Sequence, residues 1–295
     1  MIFHDFGMDT ASLAGSLDTK LAAVREAGFS QVMITAADIV GHPGGTAAGV
    51  RAVRGSGLEV TGLEALRDFE GLGGQLGAYK VDVAKAMLEL CASLGGRLLL
   101  VEASTSRHAG TDPEAIAADL ARLAVLAVPL GIRIAYKAVP WSRTARDFRA
   151  AADLAMRVAS PNVGVAVDAF DVLASGVPMD DLDVLDPEQT FLVQISDYMW
   201  HEVRTAEEEA ATATHFRVFP GEGAHSDALA QFVSRLDSIG YYGNYSFDVY
   251  NDDYLQMPPE VVAGRARRAA VWLAETVLRR ALPVPNVERL RAARG

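Results

Sequence analysis

The stretch RLLLVEASTSRHAGTDPEAIAADLARLAVLAVPLGIRIAYK, residues 97–137, decides the fold. Its apolar run at 98–101 is typical of a strand that is buried on both faces of a parallel sheet. Asp112, Pro113 and Glu114 supply a helix cap, a proline at the first helical position and an acid in the first turn. These signals predict a helix over 113–130. Gly131 can end this helix before a second apolar run at 133–137. The stretch therefore predicts a strand–helix–strand unit.

The same alternation runs through the whole chain. Strands are predicted at 2–6, 31–35, 59–63, 97–103, 133–137, 164–168, 191–196 and 245–250. Helices are predicted at 17–27, 45–55, 79–94, 113–130, 145–158, 227–239 and 259–280. This order in 295 residues predicts an α/β fold with a single (β/α)8 TIM barrel over 1–282 and a tail at 283–295. A doubly wound sheet is the alternative, but no Gly-x-Gly-x-x-Gly follows a predicted strand.

The composition narrows the choice of partner and location. Lys and Arg total 27 against 38 Asp and Glu, a net charge of −11 that disfavours a nucleic-acid partner. No apolar run reaches the roughly 18 residues of a transmembrane helix, so no membrane partner is expected. The single cysteine, Cys91, allows no internal disulfide and indicates a reducing, cytoplasmic location. We therefore expect a small-molecule substrate.

Candidate site residues follow the predicted strands, where TIM barrels carry their chemistry. They are Glu64, Arg67, Lys137, Trp141, Asp168, Phe170, Asp171, Gln194, His201, Arg217 and Asp248. Arg67 and Arg217 either clamp a substrate carboxylate or phosphate or form salt bridges, for Arg217 with Glu222 or Asp197. His201 is either an acid–base group or an ordinary rim residue. Trp141 and Phe170 either pack the wall or stack on a ring-shaped substrate.

Six segments carry a resemblance to a known family. They are RDFEG at 67–71, YKAVPW at 136–141, DAFDVL at 168–173, VQISD at 193–197, FRVFPGEG at 216–223 and FDVYND at 247–252. Together they resemble the xylose-isomerase-like barrels of sugar-phosphate isomerases and epimerases, and among these the bacterial 3-dehydroshikimate dehydratases most of all. Relatives in this family are often dimers or tetramers, so the resemblance also allows a homo-oligomer.

The resemblance implies a metal site that is altered in this chain. Family members bind one divalent metal through a Glu, an Asp, a Gln or His, and a Glu on the fifth to eighth strands. The matching residues here are Lys137, Asp168, Gln194 and Asp248. The dehydratases also carry an acid–base His three residues after the strand-six Asp, where this chain has Asp171. Two further glutamates of the family correspond to Met33 and Ala36.

Lys137 changes the expected chemistry, because an ammonium has no lone pair with which to bind a metal. We expect it to take the place of the metal, held by Asp168 and Asp248, with Gln194 offering its amide oxygen and Glu64 adding a further carboxylate. The chain would then be a cofactor-free lyase (dehydratase) or isomerase. Lys137 would stabilise an enolate oxygen while Asp171 or Asp248 removes the proton next to the carbonyl of a small cyclic keto acid or keto sugar.

Other roles remain open from the sequence. Lys137 can form a Schiff base, or merely a salt bridge in a non-catalytic ligand-binding barrel. A metal-dependent sugar isomerase, epimerase or 3-dehydroshikimate dehydratase is a further alternative. It would hold Mn, Co or Mg through Asp168, Gln194 and Asp248, with Glu102 or Glu64 supplying the missing carboxylate.

Overall fold

The computed structural model describes residues 3–279, so the predicted tail at 283–295 lies outside the described residues. Its strands are β1 Phe3–Asp9, β2 Phe29–Thr35, β3 Glu59–Arg67, β4 Leu98–Glu102, β5 Arg133–Lys137, β6 Val163–Asp168, β7 Thr190–Ile195, β8 Asp197–Tyr198, β9 Arg217–Val218 and β10 Tyr245–Phe247. Its α-helices are α1 Leu17–Glu26, α2 Ala36–Val40, α3 Thr46–Gly55, α4 Gly74–Leu94, α5 Pro113–Ala127, α6 Phe148–Val158, α7 Ala169–Ser175, α8 Ala206–His215, α9 Ser226–Ser238 and α10 Pro259–Trp272.

Eight strands close into a parallel barrel in the order β1-β10-β7-β6-β5-β4-β3-β2. The closed ring confirms the predicted (β/α)8 barrel and rules out the doubly wound sheet. Strands β6 and β7 are buried along their whole length, which explains their continuous apolar runs. The two-residue strands β8 and β9 lie outside the barrel and pair antiparallel with each other.

The element boundaries differ from the prediction where polar residues continue a strand or proline interrupts a helix. Strand β1 runs to Asp9, past the predicted end at residue 6, whereas β10 ends at Phe247 rather than at residue 250. Helix α5 ends at Ala127, and a 3-10 turn at Val128–Leu130 follows it. Pro129 lies in that turn and has no N–H with which to continue an α-helix.

Three short helices, α2, α7 and α8, were not predicted, and α7 matters for the site. It begins directly after β6, and the side chain of Asp168 caps it by accepting a hydrogen bond from the backbone N–H of Phe170. A carboxylate at this position satisfies one of the unpaired N–H groups at a helix start. Asp168 therefore ends a barrel strand and starts a helix at once.

Strand register brings the site residues to one level at the C-terminal end of the barrel. Glu102 on β4 is opposite Lys137 on β5, and Asp168 on β6 is opposite Gln194 on β7. Gln194 is in turn opposite Ser246 on β10. None of the helices within residues 3–279 is long and apolar enough to cross a membrane.

Candidate active site

A cavity of about 400 Å³ opens at the C-terminal ends of the barrel strands. A volume of this order is typical of small-molecule sites. The residues that line it are Arg67, Asp68, Glu102, Ala103, Thr105, Lys137, Val139, Trp141, Asp171, Ala213, Thr214, Arg217, Asp248 and Tyr250. Cations, carboxylates and two large aromatic side chains, Trp141 and Tyr250, thus face a single space.

Lys137 is buried at the base of this cavity, and carboxylates surround it. Its Nζ donates a hydrogen bond to Gln194 Oε1 at 2.9 Å and lies 3.6 Å from Asp168 Oδ2 and 3.8 Å from Asp248 Oδ2. Burial alone would lower the pKa of Lys137, but Glu102, Asp168 and Asp248 outweigh burial and raise it. Lys137 is therefore an ammonium at neutral pH. A Schiff base needs a neutral amine, so this environment disfavours that role.

Arg217 is the second buried cation, and the structure ties it to the same carboxylates. Its Nη1 donates to Asp168 Oδ2 at 2.8 Å and lies 3.5 Å from Asp248 Oδ2, and its Nε donates to the carbonyl of Ala213. The guanidinium also stacks on Phe170, 4.5 Å from the ring centre. The predicted alternative of a salt bridge to Glu222 or Asp197 is wrong, because β9 carries Arg217 over the end of β6 instead.

Both carboxylate oxygens of Asp168 accept hydrogen bonds. Oδ1 accepts one from the backbone N–H of Phe170 and so caps α7, and Oδ2 accepts one from Arg217. Burial alone would raise its pKa, but Arg217 and Lys137 lower it below the usual range. Asp168 does not line the cavity. It therefore holds the two cations and is poorly placed to take a proton from a substrate.

Asp171, in the first turn of α7, is the carboxylate most suited to proton transfer. It lines the cavity, and 12% of its side chain is exposed. Burial raises its pKa well above the ordinary value and Asp168 adds to the shift, while Arg217 and Lys137 oppose it. Its nearest cationic partner, Arg217 Nη2, is 3.9 Å from Oδ1.

A second group of carboxylates, the Asp9 cluster, lies deeper in the barrel. Asp9, Glu64 and Asp248 are buried and each offers an oxygen within 4.8 Å of the others. The pKa of Glu64 is raised well above its usual value by burial, Asp9 and Asp248, and that of Asp9 is raised to about 7 by burial and Asp248. Three carboxylates at this spacing do not all ionise together.

Two acids in the loop after β3, the buried Glu70 and the half-buried Asp68, hold the cavity wall. Glu70 accepts hydrogen bonds from the backbone N–H of Ser104, from the Tyr136 hydroxyl at 2.9 Å and from the Thr144 hydroxyl at 2.7 Å. Asp68 accepts from two backbone N–H groups of the neighbouring loop, at 105 and 106. The loops after β3, β4 and β5 are therefore fixed to one another beside Arg67.

Several predicted site residues lie elsewhere. His201 is exposed and lines a separate surface groove with Trp200 and Phe216, because it lies in the segment that connects β8 to β9 outside the barrel. Phe170 is fully buried beneath Arg217 and cannot stack on a substrate. Gln194 and Glu64 are buried behind the cavity, whereas Arg67 and Trp141 line it as expected.

Asp9 was not among the residues predicted for the site. Asp9 is fully buried, and its Oδ2 accepts a hydrogen bond from Gln194 Nε2 at 2.8 Å. The predicted first strand ended at residue 6, which left Asp9 in a loop. The alternation of Phe6 and Met8, both buried, was the available signal that the strand continues.

The chain belongs to the xylose isomerase-like TIM barrel family, whose sequence profile matches residues 21–276. It is 32% identical over 287 residues to a 3-dehydroshikimate dehydratase of Pseudomonas aeruginosa, covering 96% of this chain and 44% of that protein. It is 27% identical over 195 residues to an inosose isomerase of Bacillus licheniformis, covering 65% of this chain and 67% of the relative. The family thus contains dehydratases and isomerases.

Solved structures show the same barrel. A xylose isomerase-like TIM barrel/4-hydroxyphenylpyruvate dioxygenase fusion protein superposes with a TM-score of 0.86 at 28% identity, covering 93% of this chain and 44% of that one. The IolI protein with a bound zinc atom superposes with a TM-score of 0.78 at 21% identity, covering 92% of this chain and 99% of that one. The chain spans less than half the length of the dehydratase and of the fusion protein.

The four residues that the resemblance matches to metal ligands, Lys137, Asp168, Gln194 and Asp248, do not fit a divalent metal. One of them, Lys137, brings a positive charge to the centre of the set, 2.9 Å from the amide oxygen of Gln194. Arg217 adds a second cation 2.8 Å from Asp168 Oδ2. Two fixed positive charges would repel a metal placed among these residues. Such a metal would also have three ligands in place of four, because Lys137 cannot bind it.

Proposed function

We propose that this chain is a lyase (dehydratase) or isomerase that removes a proton next to the carbonyl of a small cyclic keto acid or keto sugar, with Lys137 in the role of the family's metal. One observation carries the proposal: Lys137 Nζ lies within 3.8 Å of Gln194, Asp168 and Asp248, the three other positions of the ligand set. The dehydratase and isomerase among the relatives support the reaction class.

In this proposal Lys137 stabilises the negative charge that develops on the substrate. When a C–H bond next to a carbonyl breaks, its electrons move into an enolate whose oxygen carries the charge. A fixed ammonium in a buried site stabilises such an oxygen without reorganising solvent. Because carboxylates raise the pKa of Lys137, it keeps its charge throughout turnover.

Asp171 is the proposed base. It lines the cavity together with Lys137 and Asp248, and burial raises its pKa above the ordinary value. A carboxylate with a raised pKa is a stronger base near neutral pH than an exposed one. A group in this position can take the proton while Lys137 holds the carbonyl oxygen.

Asp248 is the second acid–base group and completes either reaction. Its pKa is raised by burial, although Arg217 and Lys137 oppose the shift. In a dehydration, the enolate electrons expel a neighbouring hydroxyl, which takes a proton from Asp248 and leaves as water. In an isomerisation, the proton returns to a different carbon and no bond to oxygen is lost.

Arg67 and Trp141 are the proposed substrate contacts. The side chain of Arg67 is 61% exposed at the cavity rim, where its guanidinium is available to a substrate carboxylate. Trp141 offers an aromatic face to a ring-shaped substrate. This pair favours a cyclic keto acid over a neutral keto sugar.

The alternative is a metal-dependent isomerase, epimerase or dehydratase with a shifted ligand set. The observation that favours it is the Asp9 cluster, whose oxygens lie within 4.8 Å of one another. The zinc atom in the IolI structure gives this alternative a precedent within the fold. Glu102, the other carboxylate considered, is engaged by Arg67 and Lys137.

The test is an assay of the purified chain with 3-dehydroshikimate and with inosose, in chelator and after addition of Mn, Co or Mg. Dehydration of 3-dehydroshikimate creates an aromatic ring that ultraviolet absorption detects. Chelator-resistant turnover that Lys137→Met abolishes is the expected result. Turnover that depends on added metal supports the alternative, and substrate binding without turnover supports a non-catalytic barrel.

A further inference from the structure

Two hydrogen bonds in series connect Asp9 to Lys137 through the barrel interior. Gln194 Nε2 donates to Asp9 Oδ2 at 2.8 Å, and Lys137 Nζ donates to Gln194 Oε1 at 2.9 Å. Asp9 and Gln194 are 0% exposed and Lys137 is 6% exposed. Asp9 does not line the cavity, so it reaches Lys137 through Gln194 and not by touching a substrate.

The chemistry of the two ends fixes the orientation of the Gln194 amide. An ammonium only donates hydrogen bonds, and the Oδ2 of Asp9 accepts one from the Gln194 amide. One orientation of the amide satisfies both ends, with its carbonyl toward Lys137 and its NH2 toward Asp9. The reverse orientation would point donor at donor and acceptor at acceptor. Asp9 thus decides which atom Gln194 presents to Lys137.

Asp9 is itself held in place. The hydroxyl of Ser246 donates to Asp9 Oδ1, and Glu64 contributes a hydrogen bond that lowers the pKa of Asp9 and raises its own. Ser246 is in register with Gln194 on the neighbouring strand, so two of the donors to Asp9 come from adjacent barrel positions. The acceptor that orients Gln194 is therefore fixed by the barrel itself.

We propose that Asp9 is a positioning residue that acts through Gln194 to hold the Lys137 ammonium at the base of the cavity. The catalytic value of this positioning rests on the proposed function, but the contact is testable without any substrate. If the Asp9 carboxyl group is removed, the NH2 group of Gln194 loses its acceptor. The amide is then no longer held with its carbonyl toward Lys137. The ammonium then loses its shortest hydrogen bond and shifts toward the carboxylates.

The small number of lysines makes the contact measurable. The chain has four, Lys20, Lys80, Lys85 and Lys137, so a sample with ¹⁵N-labelled lysine gives few side-chain nitrogen signals in NMR. Lys137→Met identifies the signal of Lys137 by its loss. In the wild type, a buried, hydrogen-bonded ammonium is expected to exchange its protons slowly with water.

Asp9→Leu, which keeps the approximate shape but removes the acceptor, is expected to shift this signal and to speed its exchange at least about tenfold. Asp9→Asn keeps a carbonyl acceptor and is expected to preserve the signal. Asp197→Asn is the matched control, because Asp197 is also fully buried but bonds the backbone at Tyr198 and His225.

Gln194→Leu removes the hydrogen bond to Lys137 while Asp9 stays intact. It therefore tests the proposal even if Asp9→Leu does not fold. The two variants act in series, so both are expected to give the same change and the double variant no further one. A folded Asp9→Leu or Gln194→Leu protein with an unchanged Lys137 signal would overturn the proposal.

Titration with Mn²⁺ separates the proposal from a metal site at the Asp9 cluster. Stoichiometric Mn²⁺ that broadens the Lys137 signal and is lost in Asp9→Leu would make Asp9 a metal ligand, and the positioning role would fail. An unaffected signal is the expected result. If Lys137→Met retained full turnover, the proposed function would fail while the NMR result for Asp9 stood.

Discussion

Glu102 Oε1 lies 3.6 Å from Lys137 Nζ, and the two residues face each other in register on β4 and β5. The other oxygen of Glu102 accepts a hydrogen bond from Arg67 Nε at 2.6 Å. One carboxylate therefore joins the buried cation of the site to the exposed cation at its rim. Burial alone would raise the pKa of Glu102, but Lys137 and Arg67 lower it, so this carboxylate stays ionised.

Removing the charge of Lys137 should damage both activity and stability. In Lys137→Met, kcat is expected to fall about 100-fold or more, because the enolate oxygen loses its charged donor. The free energy of unfolding is expected to fall by about 3–5 kcal/mol, because buried carboxylates lose a counter-ion. Urea unfolding measures the second effect. Lys85→Met, at a side chain 51% exposed, is the control and should change stability by less than about 0.5 kcal/mol.

Restoring a carboxylate at position 137 should create metal binding. In Lys137→Glu the introduced carboxylate joins Asp168, Gln194 and Asp248, so the four positions offer three carboxylates and one amide oxygen, and one of the two positive charges among them is gone. We expect this variant to retain close to one equivalent of Mn²⁺ or Zn²⁺ after dialysis, and the wild type to retain much less. Elemental analysis makes the comparison. Equal metal content in the two proteins would contradict the replacement of metal by lysine.

Asp171→Asn should lower kcat by about 10²–10⁴-fold with a smaller change in KM, since the amide cannot take a proton. In the wild type, the active base is the deprotonated form of Asp171. Because its pKa is raised, kcat/KM is expected to rise with pH through that raised value and then level off. Asp171→Glu should keep the rising limb. A pH profile that Asp171→Asn leaves unchanged would assign the base elsewhere.

Arg67→Met should distinguish the two substrate classes. If Arg67 binds a substrate carboxylate, KM for a keto acid rises about 10- to 100-fold while KM for a neutral keto sugar changes little. Steady-state kinetics with both substrates gives the answer. Arg107→Met is the matched control from the neighbouring loop. Equal effects on both substrates would indicate that Arg67 only orders the cavity wall through Glu102.

The stability of the protein should depend on pH through Asp9. Its pKa is raised from 3.8 to about 7, so between these values the folded state keeps a proton that the unfolded state has released. The free energy of unfolding therefore falls as pH rises through this window and is constant above it. Asp9→Asn removes this dependence, so its stability relative to wild type should increase from pH 4 to pH 7, by up to about 4 kcal/mol. Parallel curves for the two proteins would contradict the assignment.

The barrel could be predicted from the sequence because the signals for its strands and helices lie within short segments of the chain. Apolar runs, helix caps and terminal glycines recur in the order of a (β/α)8 chain, and the closed sheet follows from that order. The surroundings of Lys137 could also be predicted, because the family motifs place Lys137, Asp168 and Gln194 at or near the ends of β5, β6 and β7. Asp168, Gln194 and Asp248 lie within 3.8 Å of Lys137 Nζ, as expected from the sequence.

The features that the sequence could not predict depend on contacts between distant segments. Asp9 and Glu64 meet Asp248 only because β1, β3 and β10 converge inside one closed barrel. His201 was misplaced because it lies between β8 and β9, two-residue strands that pair with each other outside the barrel. Such short pairings have no periodicity by which a sequence can be read.

The ammonium of Lys137 is part of the polypeptide, so the positive charge of the site does not have to be acquired from solution. A bound metal exchanges with its surroundings, so the working fraction of a metalloenzyme follows the availability of the ion and suffers when a competing ion takes its place. A lysine side chain neither dissociates nor is displaced. Under the proposed function, every correctly folded copy is active as soon as it folds. The amount of active enzyme then depends on how much of the chain is made, and not on the supply of a metal.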